Sequence, residues 1–366
     1  MISIQDLPLL FQALIAGAFG LIVGSFLNVV IYRIPRGESV SYPGSHCGSC
    51  GKPVKPYDNI PVLSYLILRG KCRACHSGYS AIYPAVEFLV GVLFFSVAYV
   101  SGVSTFNVFR MIFIAIIVSL IFIDARHQLL PNIITYPALL FSISAITIVS
   151  HLWVARILEG LSSSLPHAIA TWVGAVGIAL AIPVFFAIDR LDNVLFGKYF
   201  ESEESEISDE EKLIEERYEK RGTRVEWASL IAGIVLAVVW VIYSYAQPES
   251  IAHITLMNSL LGAIVGGGLI WLLRTLYFYT RGIEGMGLGD VKMMAFVGAF
   301  LGWQSAILIL LLGSLFGSFV GVAMALKNGG GMKVRLAFGV FLGAATILSL
   351  FAGRTIIDSY LGMMAK

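Results

Sequence analysis

Phe106-Asn107-Val108-Phe109-Arg110-Met111-Ile112-Phe113-Ile114-Ala115-Ile116-Ile117-Val118-Ser119-Leu120-Ile121-Phe122-Ile123 is an apolar run broken only by Asn107, Arg110 and Ser119, and it ends on Asp124. It approaches the roughly 20 residues that carry a helix across a bilayer, and it lacks the in-out alternation of a barrel strand. Comparable runs recur from Leu9 to Ile34, Tyr83 to Val100, Ile133 to Val154, His167 to Ile188, Val225 to Tyr245, Ile254 to Tyr279, Val291 to Trp303, Ser305 to Leu326 and Leu336 to Leu361. The expectation is an all-α polytopic integral membrane protein of about ten transmembrane helices. Val291 to Trp303 is too short to cross straight through and reads as half-buried beside a site. Hydrophobic residues make up 57% of the 366 positions and charged residues 13%, with mean hydropathy +0.83, which excludes an ordinary soluble domain.

Basic residues fix the expected orientation, because Lys and Arg stay in cytoplasmic loops. With the amino terminus outside, the inside segments hold 21 of the 25 Lys and Arg, seven of them between Arg33 and Arg73 and seven between Arg190 and Arg224. Met1 to Asp6 carries no basic residue, so the first helix is expected to be retained rather than cleaved as a signal. The net charge of +2 gives no reason to expect a nucleic-acid partner; membrane lipid is the expected surrounding. The domains read as a first transmembrane helix over 1–35, a cytoplasmic cysteine loop over 36–82 and membrane helices over 83–165. A helical hairpin follows over 166–247, with a charged linker at 189–224, and further membrane helices fill 248–366. The run from Glu201 to Arg221 reads as a solvated spacer. Glycines four apart, such as Gly20/Gly24, Gly262/Gly266 and Gly298/Gly302, read as helix-packing faces.

All four cysteines lie in the first loop, as Cys47-Gly48-Ser49-Cys50 and Cys72-Arg73-Ala74-Cys75. Two CxxC knuckles about twenty residues apart match a tetrahedral Cys-four zinc site, because each knuckle presents two thiolates to one metal. A pair of disulfides is the competing reading, disfavoured in a reducing cytoplasm. His46 and His76 flank the knuckles and read as surface histidines.

Ionisable residues at the membrane edge are rare and usually functional. Asp124 stands before Ala125-Arg126-His127-Gln128-Leu129-Leu130-Pro131-Asn132, and Asp290 stands in Gly285-Met286-Gly287-Leu288-Gly289-Asp290-Val291-Lys292. Two carboxylates sharing a site divide acid and base work, since one keeps its proton while the other takes one from water. Taken singly, each aspartate could equally cap or end a helix. Glu87 reads as facing headgroups. No nucleophile elbow, His-Glu-x-x-His or Walker loop is present.

The two knuckles resemble one family when taken with Gly24-Ser25-Phe26-Leu27-Asn28, Tyr57-Asp58-Asn59-Ile60-Pro61, Tyr83-Pro84-Ala85-Val86-Glu87, the Asp124 to Asn132 segment and Gly287-Leu288-Gly289-Asp290. It is that of the bacterial prepilin peptidases, and the likeness covers about residues 10 to 145 and 255 to 350. The resemblance implies an aspartic endopeptidase that removes the short basic leader of type IV prepilins and type II secretion pseudopilins at the cytoplasmic face of the inner membrane. It further implies methylation of the new amino terminus with S-adenosylmethionine, an activity associated with the cysteine loop. Asp124 and Asp290 take the catalytic places, and Cys47, Cys50, Cys72 and Cys75 the metal places. The alternatives are a peptidase without methyl transfer and a non-enzymatic membrane scaffold. The chain departs from its relatives in Gly48 after the first cysteine, in the added hairpin, and in Leu336-Ala337-Phe338-Gly339-Val340, which lacks two prolines usual there.

Overall fold

In lipid a backbone must satisfy its own hydrogen bonds, and a helix does so within one segment. The computed structural model describes residues 4–153, 174–184, 186–188, 190, 209–246, 252–282, 286–327 and 336–364, and among them there is no strand beyond two isolated bridges. The helices are α1 (Leu9–Arg33), α2 (Leu63–Leu68), α3 (Ile82–Ser101), α4 (Thr105–His127), α5 (Asn132–Trp153) and α6 (Gly174–Ile188). They continue as α7 (Asp209–Ala246), α8 (Ala252–Arg281), α9 (Leu288–Leu301), α10 (Trp303–Lys327) and α11 (Phe338–Met364).

Seven of these are long and apolar enough to cross a membrane: α1, α3, α4, the Gly222–Tyr245 part of α7, Thr255–Arg281 of α8, α10 and α11. Two further expected spans correspond to shorter apolar helices, Asn132–Ile148 of α5 and α6. The expected short span is α9, of 14 residues. Large apolar side chains such as Phe19 on α1, Phe88 on α3 and Phe319 on α10 remain exposed, as lipid-facing residues do. The chain is therefore a multi-pass membrane protein. Of the charged run, the part from Asp209 onward is helical and continuous with α7; residues 201–208, and His167 to Val173 of the expected fifth span, lie outside the described residues.

Two compact units divide the chain, Met1–Ile123 and Asp124–Lys366. In the first, α1 packs on α3 through glycine. A Cβ on Gly24 would stand 2.6 Å from the Glu87 Cα, and one on Gly20 would stand 2.8 Å from the Val90 carbonyl oxygen. The buried Gln12 ties the start of α1 to the α3–α4 turn, accepting the Val103 N–H at 2.7 Å and donating to the Leu7 carbonyl at 2.7 Å. Glu87 does not face headgroups. It is partly buried against α1 and accepts the Val62 N–H at 2.7 Å, with the Ser25 hydroxyl as a second partner. The sequence reading missed this because Val62 lies 25 residues away in a loop.

In the second unit α9 is the innermost helix, buried at every residue from Asp290 to Phe300. It packs on α5, α8, α10 and α11. Against α8 the approach is backbone to backbone, Gly262 on Gly298 and Gly266 on the Met294 carbonyl, so the glycines four apart do mark packing faces. The Ser259 hydroxyl donates to the Ala299 carbonyl at 2.8 Å across the same seam.

Candidate active site and metal centre

Asp124 lies in the last turn of α4 and Asp290 in the first turn of α9; both are buried, 5% and 6% exposed. They meet at Gly339, the second residue of α11. A Cβ built there would stand 2.8 Å from Asp124 Oδ2 and 3.2 Å from Asp290 Oδ1, so these two oxygens are separated by no more than the sum of those distances. The Val340 N–H donates to Asp124 Oδ2 at 3.1 Å, and the Gly339 amide is a second donor to that carboxylate. Leu336 and Ala337 thus lead into α11, Phe338-Gly339-Val340 are its first residues, and Val340 supplies an N–H that a proline would lack.

Asp290 is not the N-cap of α9. Gly287 holds that position, and the Asp290 carboxyl reaches back to the Gly287 amide from the third helical position. Three contacts set where this helix starts. A Cβ on Gly289 would stand 2.6 Å from the Leu130 Cβ, so only glycine lets α9 come this close to the turn after Asp124. The buried Arg274 on α8 donates to the Met286 carbonyl at 2.9 Å. The buried Lys292 donates to Asn132 Oδ1 at 2.7 Å and stands 5.2 Å from the Tyr136 ring centre, while Asn132 donates to Glu226 on α7 at 2.8 Å. Sequence reading passed over Arg274, Lys292, Asn132 and the Gly339-Val340 amides. For Lys292 a signal was available, a cation in a short helix whose other residues, Asp290 apart, are apolar or glycine; for backbone amides there was none.

Such a pair suits acid/base hydrolysis. Two carboxyls this close in a water-poor site cannot both ionise at ordinary cost, so the pair tends to hold one proton between them.

The cysteines come together in the first unit. Their four sulfurs lie within 4.8 Å of one another, with Cys47 Sγ and Cys75 Sγ at 3.8 Å, and none forms a disulfide. Tetrahedral zinc with bonds of about 2.3 Å would space its thiolates about 3.8 Å apart, so the donor set fits. The knuckles are built alike. The Cys47 N–H donates to the Lys52 carbonyl and the Gly51 N–H to the Cys47 carbonyl; the Cys72 N–H donates to Ser77 and the His76 N–H to Cys72. Gly51 and His76 occupy the same left-handed position, with φ of 68° and 57°. His76 is therefore a turn residue, and neither it nor His46 belongs to the cluster. Amides of Cys50 and Ser49 directed at the Cys47 sulfur pull its thiol down to about 6, which favours the thiolate a metal needs. Arg73 forks onto Asp58 at 2.7 to 3.0 Å and pins the second knuckle to the segment between.

Residues 18–101 match the bacterial peptidase A24 N-terminal domain, and residues 225–322 match the type IV leader peptidase family. Both matched segments point to one peptidase family, and the chain is similar to it over these residues. Proteins named prepilin leader peptidase/N-methyltransferase align along nearly its whole length. That of Aeromonas hydrophila is 27% identical over 98% of this chain and 96% of its own, and that of Neisseria gonorrhoeae is 27% identical over 89% and 87%. That of Myxococcus xanthus is 44% identical over 34% of this chain and 37% of its own. No solved structure matches the chain.

Gly339→Ala should push the two carboxyls apart and lower peptidase turnover by about 10²-fold, the scale of an ångström misplacement, with the protein still in the membrane fraction; wild-type turnover would exclude the packed geometry. If the four thiolates hold a metal, replacing Cys72 and Cys75 together by Ser should remove it, read as metal per chain by atomic absorption.

Proposed function

We propose that this chain is an aspartic endopeptidase that uses Asp124 and Asp290 to remove the leader from type IV prepilins and type II secretion pseudopilins. We also propose that it methylates the exposed amino terminus with S-adenosylmethionine. The observation that carries the peptidase reading is the convergence of Asp124 and Asp290 on Gly339. The names of its relatives supply the substrate class and the methyl transfer. The charge asymmetry supports an inner-membrane protein with its amino terminus outside and the aspartates at the cytoplasmic face. Zinc is the metal the four thiolates suit, and it would hold the loop over 36–82 in shape, where few apolar residues are buried.

The surroundings of the two carboxyls divide their roles. Asp124 receives two amides, from Gly339 and Val340, at the amino end of α11, whereas Asp290 receives one, from Gly287. More donors favour the ionised form; both carboxyls face a helix amino terminus, Asp124 that of α11 and Asp290 that of α9, so the number of donors separates them. Asp124 is then the base and Asp290 carries the proton. Of the nearby cations, Lys292 donates to Asn132, and Arg126 and His127 are exposed residues in the same last turn of α4 as Asp124. Asp124 takes a proton from water as the oxygen adds to the scissile carbonyl carbon, and Asp290 gives its proton to the carbonyl oxygen. When the tetrahedral species collapses, the proton held by Asp124 passes to the departing amine, the C–N bond breaks, and Asp290 recovers its own. A peptidase without methyl transfer is the second reading, favoured by the absence of any glycine-rich donor fingerprint in the sequence.

Mass spectrometry of a precursor pilin incubated with the purified protein, with and without S-adenosylmethionine, reads leader loss and methyl gain separately. Asp290→Asn should abolish the first; normal cleavage by that variant would end the aspartic reading, and leader loss without methyl gain would leave a peptidase alone.

Val340→Pro removes one donor to Asp124 at little change in volume, while Val340→Ala keeps it. Fewer donors make the base harder to deprotonate, so in the proline variant the acid limb of kcat/KM should move to higher pH by about one unit, the scale of a lost hydrogen bond to a charge. The alanine variant should keep the wild-type limb. An unmoved limb in the proline variant would reverse the roles.

A further inference from the structure

Helix α2 presents an apolar face in a loop that is otherwise polar and basic. Leu63, Leu66 and Ile67 share one side at helical spacing, 49%, 65% and 66% exposed, and Ile60 beside them is 46% exposed. The opposite side is held by Ser64, whose hydroxyl accepts the Ile60 N–H and donates to the Tyr57 carbonyl. Arg69 and Lys71 follow the helix at once and are exposed. From Arg33 to Arg73 the loop carries seven Lys and Arg against Glu38 and Asp58.

The depth of α2 is set by the helices at its base. Tyr32, with the Arg36 guanidinium 4.0 Å over its ring, closes the apolar part of α1 in the manner of an aromatic and basic interface anchor. Gly24 lies eight residues earlier, about 12 Å down the axis, and packs on the Glu87 backbone. The Glu87 side chain leans back toward the start of α3, recovers part of that height, and holds the N–H of Val62, the residue just before α2. The amino end of α2 is therefore fixed below the level at which α1 leaves the apolar zone.

We infer that α2 lies in the bilayer interface, its Leu63, Leu66 and Ile67 among acyl chains and Arg69 and Lys71 on anionic lipid phosphates. The cysteine loop is thereby held flat against the membrane surface rather than projecting from it. Sign complementarity selects anionic lipid, since the same surface repels a basic partner, and a second copy of this loop is equally basic. This inference does not depend on the catalytic roles of the aspartates.

The test uses the full-length protein with the photocrosslinking residue p-benzoylphenylalanine at position 66 or 67, reconstituted in nanodiscs of phosphatidylcholine alone or mixed with phosphatidylglycerol. Unchanged metal content and a single elution peak establish that each variant is folded. After irradiation, mass spectrometry should find lipid adducts on the peptide containing residues 60–68, several-fold more abundant with phosphatidylglycerol. Arg69→Glu combined with Lys71→Glu should cancel that excess. Adducts to a second copy of the chain, adducts to an added precursor pilin in place of lipid, or no adduct in either disc would overturn the inference. Equal lipid adducts in both discs, unaffected by the charge reversal, would overturn the part played by Arg69 and Lys71.

Discussion

Two carboxyl groups buried against one glycine are the constraint around which the second half of this protein is arranged. An unpaired charge away from water is costly, and a second like charge beside it more so. The amides at the start of α11 and a shared proton offset that cost, and both depend on position. Gly339 gives the pair its room. The ammonium of Lys292, two residues from Asp290, is turned to Asn132 rather than neutralising the pair. A cation placed between the aspartates would hold both ionised and leave no proton to give.

Holding three helix ends in register needs rigid packing, and lipid offers no hydrophobic drive between helices. The chain meets this with backbone contact. Gly262 on Gly298 and Gly266 on the Met294 carbonyl set α9 on α8, and Gly289 on Leu130 sets α9 beside the turn after Asp124. The shortness of α9 follows from its place: it is enclosed on all sides and has no lipid face of its own to match to a bilayer. Polar contacts add direction where glycine adds closeness, as with Arg274 on the Met286 carbonyl.

The cysteine loop is stabilised on different terms. It buries few side chains, and its shape comes from two knuckle turns with the same hydrogen-bond pattern, the Arg73–Asp58 fork and four convergent thiols. Val62 adopts a positive φ of 60° with ψ −48°, a backbone that a β-branched residue rarely takes, and the Glu87 carboxylate holds its N–H there. The same bond ties the loop to the second turn of α3.

The sequence by itself determined the class, the helices and the loop with its four paired cysteines, and it singled out the two aspartates as candidates. These are local properties: apolar run length, the spacing within CxxC, a carboxylate at the end of an apolar segment. Helix-packing glycines were legible too, because their period is that of one helix face. What only the tertiary structure decided are relations between distant segments. That Asp124 and Asp290 share one glycine, that Val340 gives Asp124 a donor, and that Glu87 is a latch for Val62 rather than a headgroup-facing acid all rest on approaches between backbone atoms. Every residue carries the same amide and carbonyl, so a one-letter code cannot mark which of them will point at a carboxylate; helix packing makes that choice.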